Sequence, residues 1–535
     1  MDIQTAVSRR DFLVRSGVAA ASGLISFSWP ALALGPAAAV RRPARYEPII
    51  DNLPARPKEK PLPWRTLADA FRAFVMAPEN GILLSRKDGS PCFASATESK
   101  GDGGLTTMGP ILVGLILRGE DPMWLPASLA AYFNESAGIF LDGVGAQRIE
   151  YWYMMNVNAL AVAVIKSGMG QDPVWLKRLQ RSADRLIAMA HQVKYNYNEQ
   201  GYDFATNSPW TNKDIYRQPD AVAGYAYLML FAYERFGDSK YLAEAKTALG
   251  RYLGFRENPW YEIPSGAMAC LAAARLSAHH GDPESNLHKA LNSALDPKIG
   301  CLRTGEWGGR EVNGLMGGWR TEPPGQAYSM ESMVALLYIL PVLRYDPRYA
   351  TDIGKYALNA AANMRWFYSE YLPNNLQSKP DFAPAVPYER LSQELNGRSP
   401  FAAGDYDGQR SVYGGAYALW LGELIKPTQD DYILQLDVAK TDFLANATYP
   451  TFLYYNPWPE ERKAGVDLGK SKADVYDTLE HRYLRKNADG QMQLAIPGAG
   501  SRVVVVIPSG VKRGIEHGVL TAGGVPVDYF AGGTR

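Results

Sequence analysis

The sequence contains few cysteines, few histidines and almost no net charge. Its three cysteines, Cys92, Cys270 and Cys301, are widely spaced among 535 residues, so at most one disulfide could form and no metal-ligand pattern is present. The formal net charge of +1 leaves no basic surface to bind nucleic acid by counterion release. Because the six histidines show no HExxH-like spacing, we expect neither a metal centre nor another cofactor.

Long hydrophobic runs are also missing after the N-terminal region. Residues 8–13 read Ser-Arg-Arg-Asp-Phe-Leu, an apolar small-residue run covers 17–27, and Ala31-Leu32-Ala33 could be a peptidase site. This pattern resembles a twin-arginine export signal. The run is shorter than the roughly 20 residues of a spanning helix, although an uncleaved signal that anchors the chain is the alternative. We expect export by the twin-arginine translocase to the periplasm or the medium, with no membrane span in the mature protein.

Aromatic residues, in contrast, are abundant. The chain has 32 Tyr and 12 Trp, more than packing usually requires, and flat amphipathic rings suit the faces of sugars. Hydrophobic residues make up 47% of the chain, which is enough for a sizeable core. The composition favours an oligo- or polysaccharide as the binding partner.

A tight turn recurs six times along the chain. In the stronger copies a Gly can end one helix, an Asp can cap the next, and a Pro can occupy its first position. Each copy is therefore predicted to join two helices. The copies are GEDPMWL at 119–125, GQDPVWL at 170–176, GDSKYL at 237–242, GDP at 281–283, YDPRY at 345–349 and QDDYIL at 429–434.

Six such junctions predict six αα-hairpins. An open solenoid is the competing architecture, but it would keep a tighter repeat period. The variable spacing favours a closed, mainly α (α/α)6 toroid followed by a small antiparallel β-sandwich, whose strands are expected at 451–455, 492–496 and 503–507 with a hairpin turn at Gly523-Gly524. The predicted organisation is a signal peptide at 1–39, a lead-in segment at 40–100, the catalytic toroid at 101–445 and the β-domain at 446–535.

The tight turns should all lie at one end of the ring, with long loops at the other. Those loops lead into the first helix of each hairpin, so that free helical N–H groups point into the same space. They are dense in Trp, Tyr, Gly and carboxylates, as expected of a cleft that binds sugar rings. The six loops are 101–104, 142–158, 210–220, 257–262, 306–331 and 404–407, the last followed by Tyr413.

Four carboxylates in these loops are the candidate catalytic residues. Asp220 follows a Pro and opens an apolar helix, so a helix cap is the alternative role. Glu331 lies just inside another apolar helix, where it could instead favour the helix dipole. Glu150 precedes an aromatic stretch, and Asp405 lies in a loop rich in Gly and Tyr, where solvated acids are common.

Eight further residues are expected to contact the substrate. Trp152 and Trp319 are candidate stacking platforms. Asn156 lies in an otherwise apolar helix and needs a polar partner, and Arg320 could bind an acidic sugar. Of the histidines, only His191 could face the cleft, and an ordinary helix-end residue is its expected role. The full set is Trp152, Tyr153, Asn156, Tyr216, Trp319, Arg320, Tyr328 and Tyr413.

With its six hairpins and terminal β-domain, the chain resembles the six-hairpin glycosidase superfamily. The resemblance covers about residues 100–445 and is strongest in the hairpin at 218–249, with its Gly-Tyr-Ala-Tyr at 224–227. The segments 454–458 and 474–477 are similar to small C-terminal sandwich domains of bacterial carbohydrate enzymes. The resemblance implies a carbohydrate-active enzyme, mainly a glycoside hydrolase with a buried Glu as general acid and an Asp as base for water.

Two other functions stay open. A polysaccharide lyase could act on a uronate-containing glycan by β-elimination, with Tyr153 or Tyr216 transferring the proton and Asn156 neutralising the carboxylate. The lack of an evident cleft histidine disfavours it. A non-catalytic carbohydrate-binding toroid is the third possibility.

Overall fold

The computed structural model describes residues 25–26, 52–122, 124–298, 300–318, 325–380, 383–393 and 410–531. Helices dominate its first four-fifths. Across these ranges no helix is both long and apolar enough to cross a membrane. The helices are α1 Trp64–Met76, α2 Gly104–Leu117, α3 Leu125–Ala130, α4 Tyr151–Met169, α5 Pro173–Gln192, α6 Ala221–Phe236, α7 Ser239–Leu253, α8 Ile263–His280, α9 Glu284–Leu295, α10 Ser329–Ile339, α11 Val342–Tyr345, α12 Ala350–Asn363, α13 Val412–Gly415 and α14 Ala418–Leu424.

Alternate helices form an inner ring. Helix α2 packs against α4, α4 against α6, α6 against α8, α8 against α10 and α10 against α13, while α13 and α14 pack back onto α2. Because the last inner helix contacts the first, the array is closed and is not an open solenoid. The outer helices α3, α5, α7, α9 and α12 each follow and contact an inner helix. The predicted (α/α)6 toroid is confirmed.

The sixth hairpin is built differently from the prediction. The turn at 429–434 was predicted to join two helices, and this prediction is wrong: it connects strands Ile425–Pro427 and Leu434–Asp437. The Asp430 carboxylate accepts a hydrogen bond from the backbone of Tyr432 at 2.9 Å, a local turn that serves a strand connection as well as a helix junction. The sixth outer helix is instead α1, which precedes the ring in sequence and packs against α14.

The other five turns do join helices. Asp172 and Asp238 accept hydrogen bonds from the second residue of the following helix, at 2.8 and 3.0 Å. Gly237 and Gly281 end their helices in the left-handed conformation, both with φ of 75°. Gly170 has a φ of −60°, so the turn there does not depend on glycine.

Glycines allow the inner helices to approach closely. A Cβ at Gly224 in α6 would lie 2.6 Å from the Cβ of Met155 in α4, and one at Gly114 in α2 would lie 2.4 Å from the Cβ of Leu419 in α14. Both distances are shorter than real Cβ contacts. Gly114 therefore lies where the ring closes.

We expect Gly114→Ala to lower the free energy of unfolding by about 1–3 kcal/mol, because the added methyl group overpacks the contact between α2 and α14. Urea denaturation measures this change. Gly250→Ala is the matched control: it lies on the outer helix α7 with no atom within 4 Å of the added Cβ, and should stabilise by up to about 1 kcal/mol. An unchanged midpoint in Gly114→Ala would contradict the close approach.

Eleven antiparallel strands form the sheets of the C-terminal part, and a twelfth short strand, Ala447–Thr448, pairs with Ile25–Ser26. A six-stranded sheet has the order β1-β2-β3-β8-β5-β6, strands β4 and β7 form a ribbon, and β9, β10 and β11 form a third sheet. The strands are β1 Ile425–Pro427, β2 Leu434–Asp437, β3 Thr451–Asn456, β4 Arg462–Asp467, β5 Ala473–Asp477, β6 Arg482–Ala488, β7 Gln491–Ile496, β8 Gly500–Pro508, β9 Arg513–Glu516, β10 Val519–Ala522 and β11 Val525–Asp528.

These sheets pack as layers. The ribbon covers one face of the six-stranded sheet through Val466 and Leu494 against Val504, and the three-stranded sheet covers the other face through Leu520 against Val505. The small antiparallel β-sandwich is thereby confirmed. The predicted strands fall within β3, β7 and β8, and Gly523-Gly524 forms the predicted turn with positive φ at both residues.

The β-domain and the chain leading to it close the ring at the C-terminal ends of the inner helices. Lys166 of α4 donates to the carbonyl of Phe443 at 2.6 Å, and Asp442 is bonded by Arg344 and by the hydroxyl of Tyr345. A second buried pair lies at the same end, where Arg275 of α8 binds Glu234 of α6 through two bonds of 2.9 and 2.7 Å. This end of the ring is therefore blocked by charged contacts.

Candidate active site

The six inner helices all begin at the end of the ring opposite the β-domain, since each outer helix reverses the direction of the chain. Short antiparallel strand pairs order the loops at this end. They are Leu83–Ser85 with Pro91–Phe93, Phe133–Asn134 with Ile139–Phe140, Arg148–Glu150 with Gly201–Asp203, Gly201–Asp203 with Ser208–Trp210, Glu306–Trp307 with Arg310–Glu311, and Gln326–Tyr328 with Arg390–Ser392.

Tyr153, in the first turn of α4, lies among four carboxylates. Burial raises the pKa of its hydroxyl well above the usual value, and Glu262, Asp142, Glu150 and Glu331 each raise that pKa further. These acids come from the segments leading into α8, α4 and α10 or from their first turns. The Tyr153 ring is nevertheless partly exposed. It therefore lines a deep acidic recess, which we call the recess below.

Tyr413, in α13, connects this group to a further acid, Glu389. Its hydroxyl donates to Glu389 Oε1 at 2.8 Å. Burial raises the pKa of Tyr413 well above the usual value, and Glu389, Tyr153 and Glu331 raise that pKa further. Like Tyr153, the Tyr413 ring is partly exposed. The first turns of α4, α10 and α13 thus meet in the recess.

Glu389 lies in an environment that favours its protonated form. Burial raises the pKa of this carboxyl above its usual range, although the Tyr413 hydrogen bond and the charge of Arg390 both lower it. Its Oε2 atom is buried and has no hydrogen-bond partner among the described residues. A carboxyl group with a raised pKa keeps its proton to higher pH and can donate it to a leaving group. Sequence analysis missed this residue.

Two of the predicted acids belong to the recess. Glu150 is oriented by two amides, because Gln200 and Gln218 donate to its two oxygens at 2.9 and 2.6 Å. Glu331 is 4% exposed in the first turn of α10, and its charge acts on both Tyr153 and Tyr413. The structure therefore brings Glu150 and Glu331 together with Glu389.

Asp220 and Trp152 lie behind the recess. Asp220 is fully buried, makes no side-chain cap on its own helix, and accepts hydrogen bonds at Oδ2 from the backbone of Tyr261 and Glu262 at 2.7 and 3.3 Å. It thus fixes the loop that carries Glu262. Trp152 is 3% exposed, with its ring centroid 3.9 Å from that of Tyr153. Burial leaves its ring no free face for a sugar.

The remaining predicted contacts are spread over the mouth and the interior of the ring. Tyr216 ends a short 3-10 helix at the mouth and is partly exposed. Tyr328 directly precedes α10 and donates to Gln326 at 3.1 Å. Asn156 is buried one turn below Tyr153. Asp405, Trp319 and Arg320 lie outside the described residues.

All six histidines fall within the described ranges, and they lie away from the recess. His191, in the last turn of α5, contacts Glu244 of the outer helix α7 at 2.6 Å, as expected of a helix-end residue. His279 and His280 lie at the blocked end, near Arg275 and Glu234. In the described part of the chain, no group of three or more His, Cys, Asp or Glu could hold a metal ion.

Six helix pairs form a closed ring, and the acidic residues lie at one end of it. This arrangement identifies the fold. The chain has the six-hairpin toroid fold. No family model matches it, and no curated protein matches its sequence. The resemblance to known enzymes is one of fold.

Several solved structures are similar at low identity. A sugar epimerase from a ruminal bacterium is 10% identical, with 68% of this chain and 98% of that chain covered and a TM-score of 0.45. A family 76 glycoside hydrolase (mannosidase) from Bacteroides thetaiotaomicron is 11% identical, with 67% and 97% covered and a TM-score of 0.44. A family 127 β-L-arabinofuranosidase from Geobacillus stearothermophilus is 14% identical, with 88% and 85% covered and a TM-score of 0.40. Similarity this distant carries no information on the reaction.

Proposed function

We propose that the protein is a carbohydrate-active enzyme, a glycoside hydrolase in which Glu389 is the general acid and Glu331 the ionised partner. The observation that carries this proposal is the Tyr413–Glu389 hydrogen bond beside Glu331, inside one recess. Hydrolysis of a glycosidic bond needs one protonated and one ionised carboxyl group on either side of the bond. Glu389, with its raised pKa, supplies the first and Glu331 the second.

In this mechanism Glu389 protonates the leaving oxygen while the sugar ring gains positive charge. Glu331 accepts the proton of the attacking water. The carboxylates of Glu150 and Glu262 lie in the same recess and stabilise the oxocarbenium-like transition state. Asp220 is a positioning residue, because it holds the backbone of Glu262.

Tyrosine-driven β-elimination fits the recess less well. A tyrosine base must first lose its proton, whereas burial and four carboxylates raise the pKa of Tyr153. The Asn156 side chain, which would neutralise a uronate, is 1% exposed and lies below the acids. The same negative charges would repel a uronate carboxylate.

Incubation of the protein with a panel of neutral and acidic polysaccharides tests the reaction class. We expect new reducing ends without new ultraviolet absorbance on at least one neutral polysaccharide. Reducing ends together with ultraviolet absorbance would instead identify a lyase, and retention on a polysaccharide without either signal would identify a binding protein.

We also propose export through the twin-arginine route, on the strength of Arg9-Arg10 and the apolar run that follows. Cell fractionation of the wild type and an Arg9→Lys, Arg10→Lys variant tests this proposal. The wild type should appear outside the cytoplasm and the variant should be retained. Equal distribution of the two would contradict the proposal.

A further inference from the structure

Two columns of polar side chains run from the mouth of the ring inwards. Tyr153 and Asn156 are three residues apart on α4, and Tyr413 and Tyr417 are four apart on the helical turns of α13 and its junction with α14. Residues with these spacings lie on the same face of a helix. Asn156 and Tyr417 are therefore one turn deeper than the two tyrosines that line the recess.

Both columns border Glu331. Its charge raises the pKa of Tyr153 and Tyr413. Burial is the main cause that raises the pKa of Tyr417, Glu331 and Asp142 add to it, and the neighbouring Asn156 lowers it. The deeper layer thus lies against the same carboxylate as the upper layer.

The deeper layer contains buried polar groups that can form further hydrogen bonds. Asn156 and Tyr417 are each 1% exposed. Asn156 lies close enough to Tyr417 to lower the pKa of its hydroxyl, but by hydrogen-bond geometry neither Asn156 Nδ2 nor the Tyr417 hydroxyl has a partner in the described part of the chain. Leaving such groups unsatisfied is costly. A ligand that forms hydrogen bonds with them would recover this cost on binding.

The inner helices are closely packed below this layer. Tyr338, seven residues after Glu331 on α10 and two turns deeper, is buried, as are Val334 and Leu337 of the same helix. Beyond it the ring is blocked by the chain that leads to the β-domain, including Asp442. The recess is therefore a blind pocket.

We propose that Asn156 and Tyr417 form the floor of a subsite that receives a hydroxyl group of a terminal sugar, so that the enzyme acts on the ends of neutral glycans. This inference rests on the proposed function. A hydroxyl group can accept a hydrogen bond from Asn156 Nδ2 and share one with the Tyr417 hydroxyl. A carboxylate there would be repelled by Glu331 and Asp142. A blind pocket admits a chain end and excludes a continuous polymer.

Calorimetric titration of the protein with methyl glycosides of D-glucose, D-galactose, D-mannose, L-arabinose and D-glucuronate tests the subsite without requiring turnover. At least one neutral glycoside should bind and the glucuronate glycoside should not. Tyr417→Phe and Asn156→Ala should each weaken binding of that neutral glycoside by roughly fivefold, as expected for one neutral hydrogen bond.

Tyr356→Phe is the matched control, because Tyr356 has a buried hydroxyl without a described partner but belongs to the outer helix α12. The Tyr356→Phe variant should bind the neutral glycoside with the affinity of the wild type. Wild-type affinity in Tyr417→Phe, or tightest binding of the glucuronate glycoside, would overturn the subsite.

The product pattern tests action on chain ends. On a polysaccharide that yields reducing ends, mono- or disaccharides should be the only short products from the first minutes, and early long fragments would overturn the proposal. Glycoside binding that depends on Tyr417, with no reducing ends on any polysaccharide, would support the subsite and reject hydrolysis. New reducing ends, together with unchanged glycoside binding in Tyr417→Phe, would support hydrolysis and reject the subsite.

Discussion

Glu389→Gln is expected to lower kcat by about a thousandfold on the polysaccharide that the protein hydrolyses, because the amide cannot give a proton to the leaving oxygen. The loss should be much smaller on a dinitrophenyl glycoside, whose leaving group needs no protonation. Initial rates on the two substrates measure the difference. A fall of less than tenfold on the polysaccharide would remove Glu389 from the general-acid role.

Glu244→Gln is the matched control for this experiment. Glu244 also accepts a tyrosine hydroxyl, from Tyr225 at 2.7 Å, but it lies on the outer helix α7. Its kcat should stay within a few-fold of the wild type. A comparable loss in both variants would point to damage to the fold.

The pH profile provides an independent readout of the same residue. Because protonated Glu389 is the active form, kcat should fall as the pH rises through its raised pKa. The hydrogen bond from Tyr413 lowers that pKa, so Tyr413→Phe should raise the pKa and move the alkaline limb of the profile to higher pH. A shift to lower pH would contradict the assignment.

The second large effect is expected at the blocked end of the ring, where Glu234→Ala should lower the free energy of unfolding by about 3–5 kcal/mol. Glu234 and Arg275 are only 7% and 8% exposed. Removing the carboxylate leaves the Arg275 guanidinium buried without its bidentate partner. Urea denaturation of both proteins near pH 7 measures the change.

An exposed ion pair supplies the comparison. The Lys472 and Asp489 side chains are 54% and 48% exposed, and Asp489→Ala should cost less than about 1 kcal/mol. If Glu234→Ala and Asp489→Ala lower the free energy of unfolding by the same small amount, the buried pair does not stabilise the ring.

The effect of Glu234 should also depend on pH. Burial alone would raise the pKa of this carboxyl, but the charge of Arg275 and the hydrogen bonds of His280 and Arg275 hold it below its usual value. A carboxylate with a depressed pKa stabilises the fold above its unfolded pKa of about 4.3 and loses that contribution as the pH falls. The difference between wild type and Glu234→Ala should therefore shrink below about pH 4.

Local turn chemistry was sufficient to predict most of the architecture. The Asp caps at 172 and 238 and the strands around Val503 depend on residues close in sequence. The sixth turn was misassigned because an Asp side chain orders strand connections and helix junctions alike. Helix α1 was left within the lead-in segment, although Trp64, Leu67, Phe71 and Val75 are buried at helical spacing.

The residues of the site were harder to predict from the sequence, because the site is formed by segments that are far apart in the chain. Glu389 enters the recess because Arg390–Ser392 pairs with Gln326–Tyr328, more than 60 positions earlier, and no local pattern marks it. Asp220 was correctly placed at a helix start, but its carboxylate binds the backbone of Tyr261. Helical periodicity could have placed Tyr417 beside Tyr413.

The sixth outer helix, α1, is synthesised before the helix it packs against. Helix α1 ends at Met76 and its partner α14 begins at Ala418, so one seam of the barrel joins elements separated by 342 positions. Contacts of such long range are made late. While the ribosome is still translating the first five hairpins, α1 has no α14 to cover its apolar stripe. In each nascent chain, the apolar face of α1 therefore stays uncovered until α14 has been synthesised.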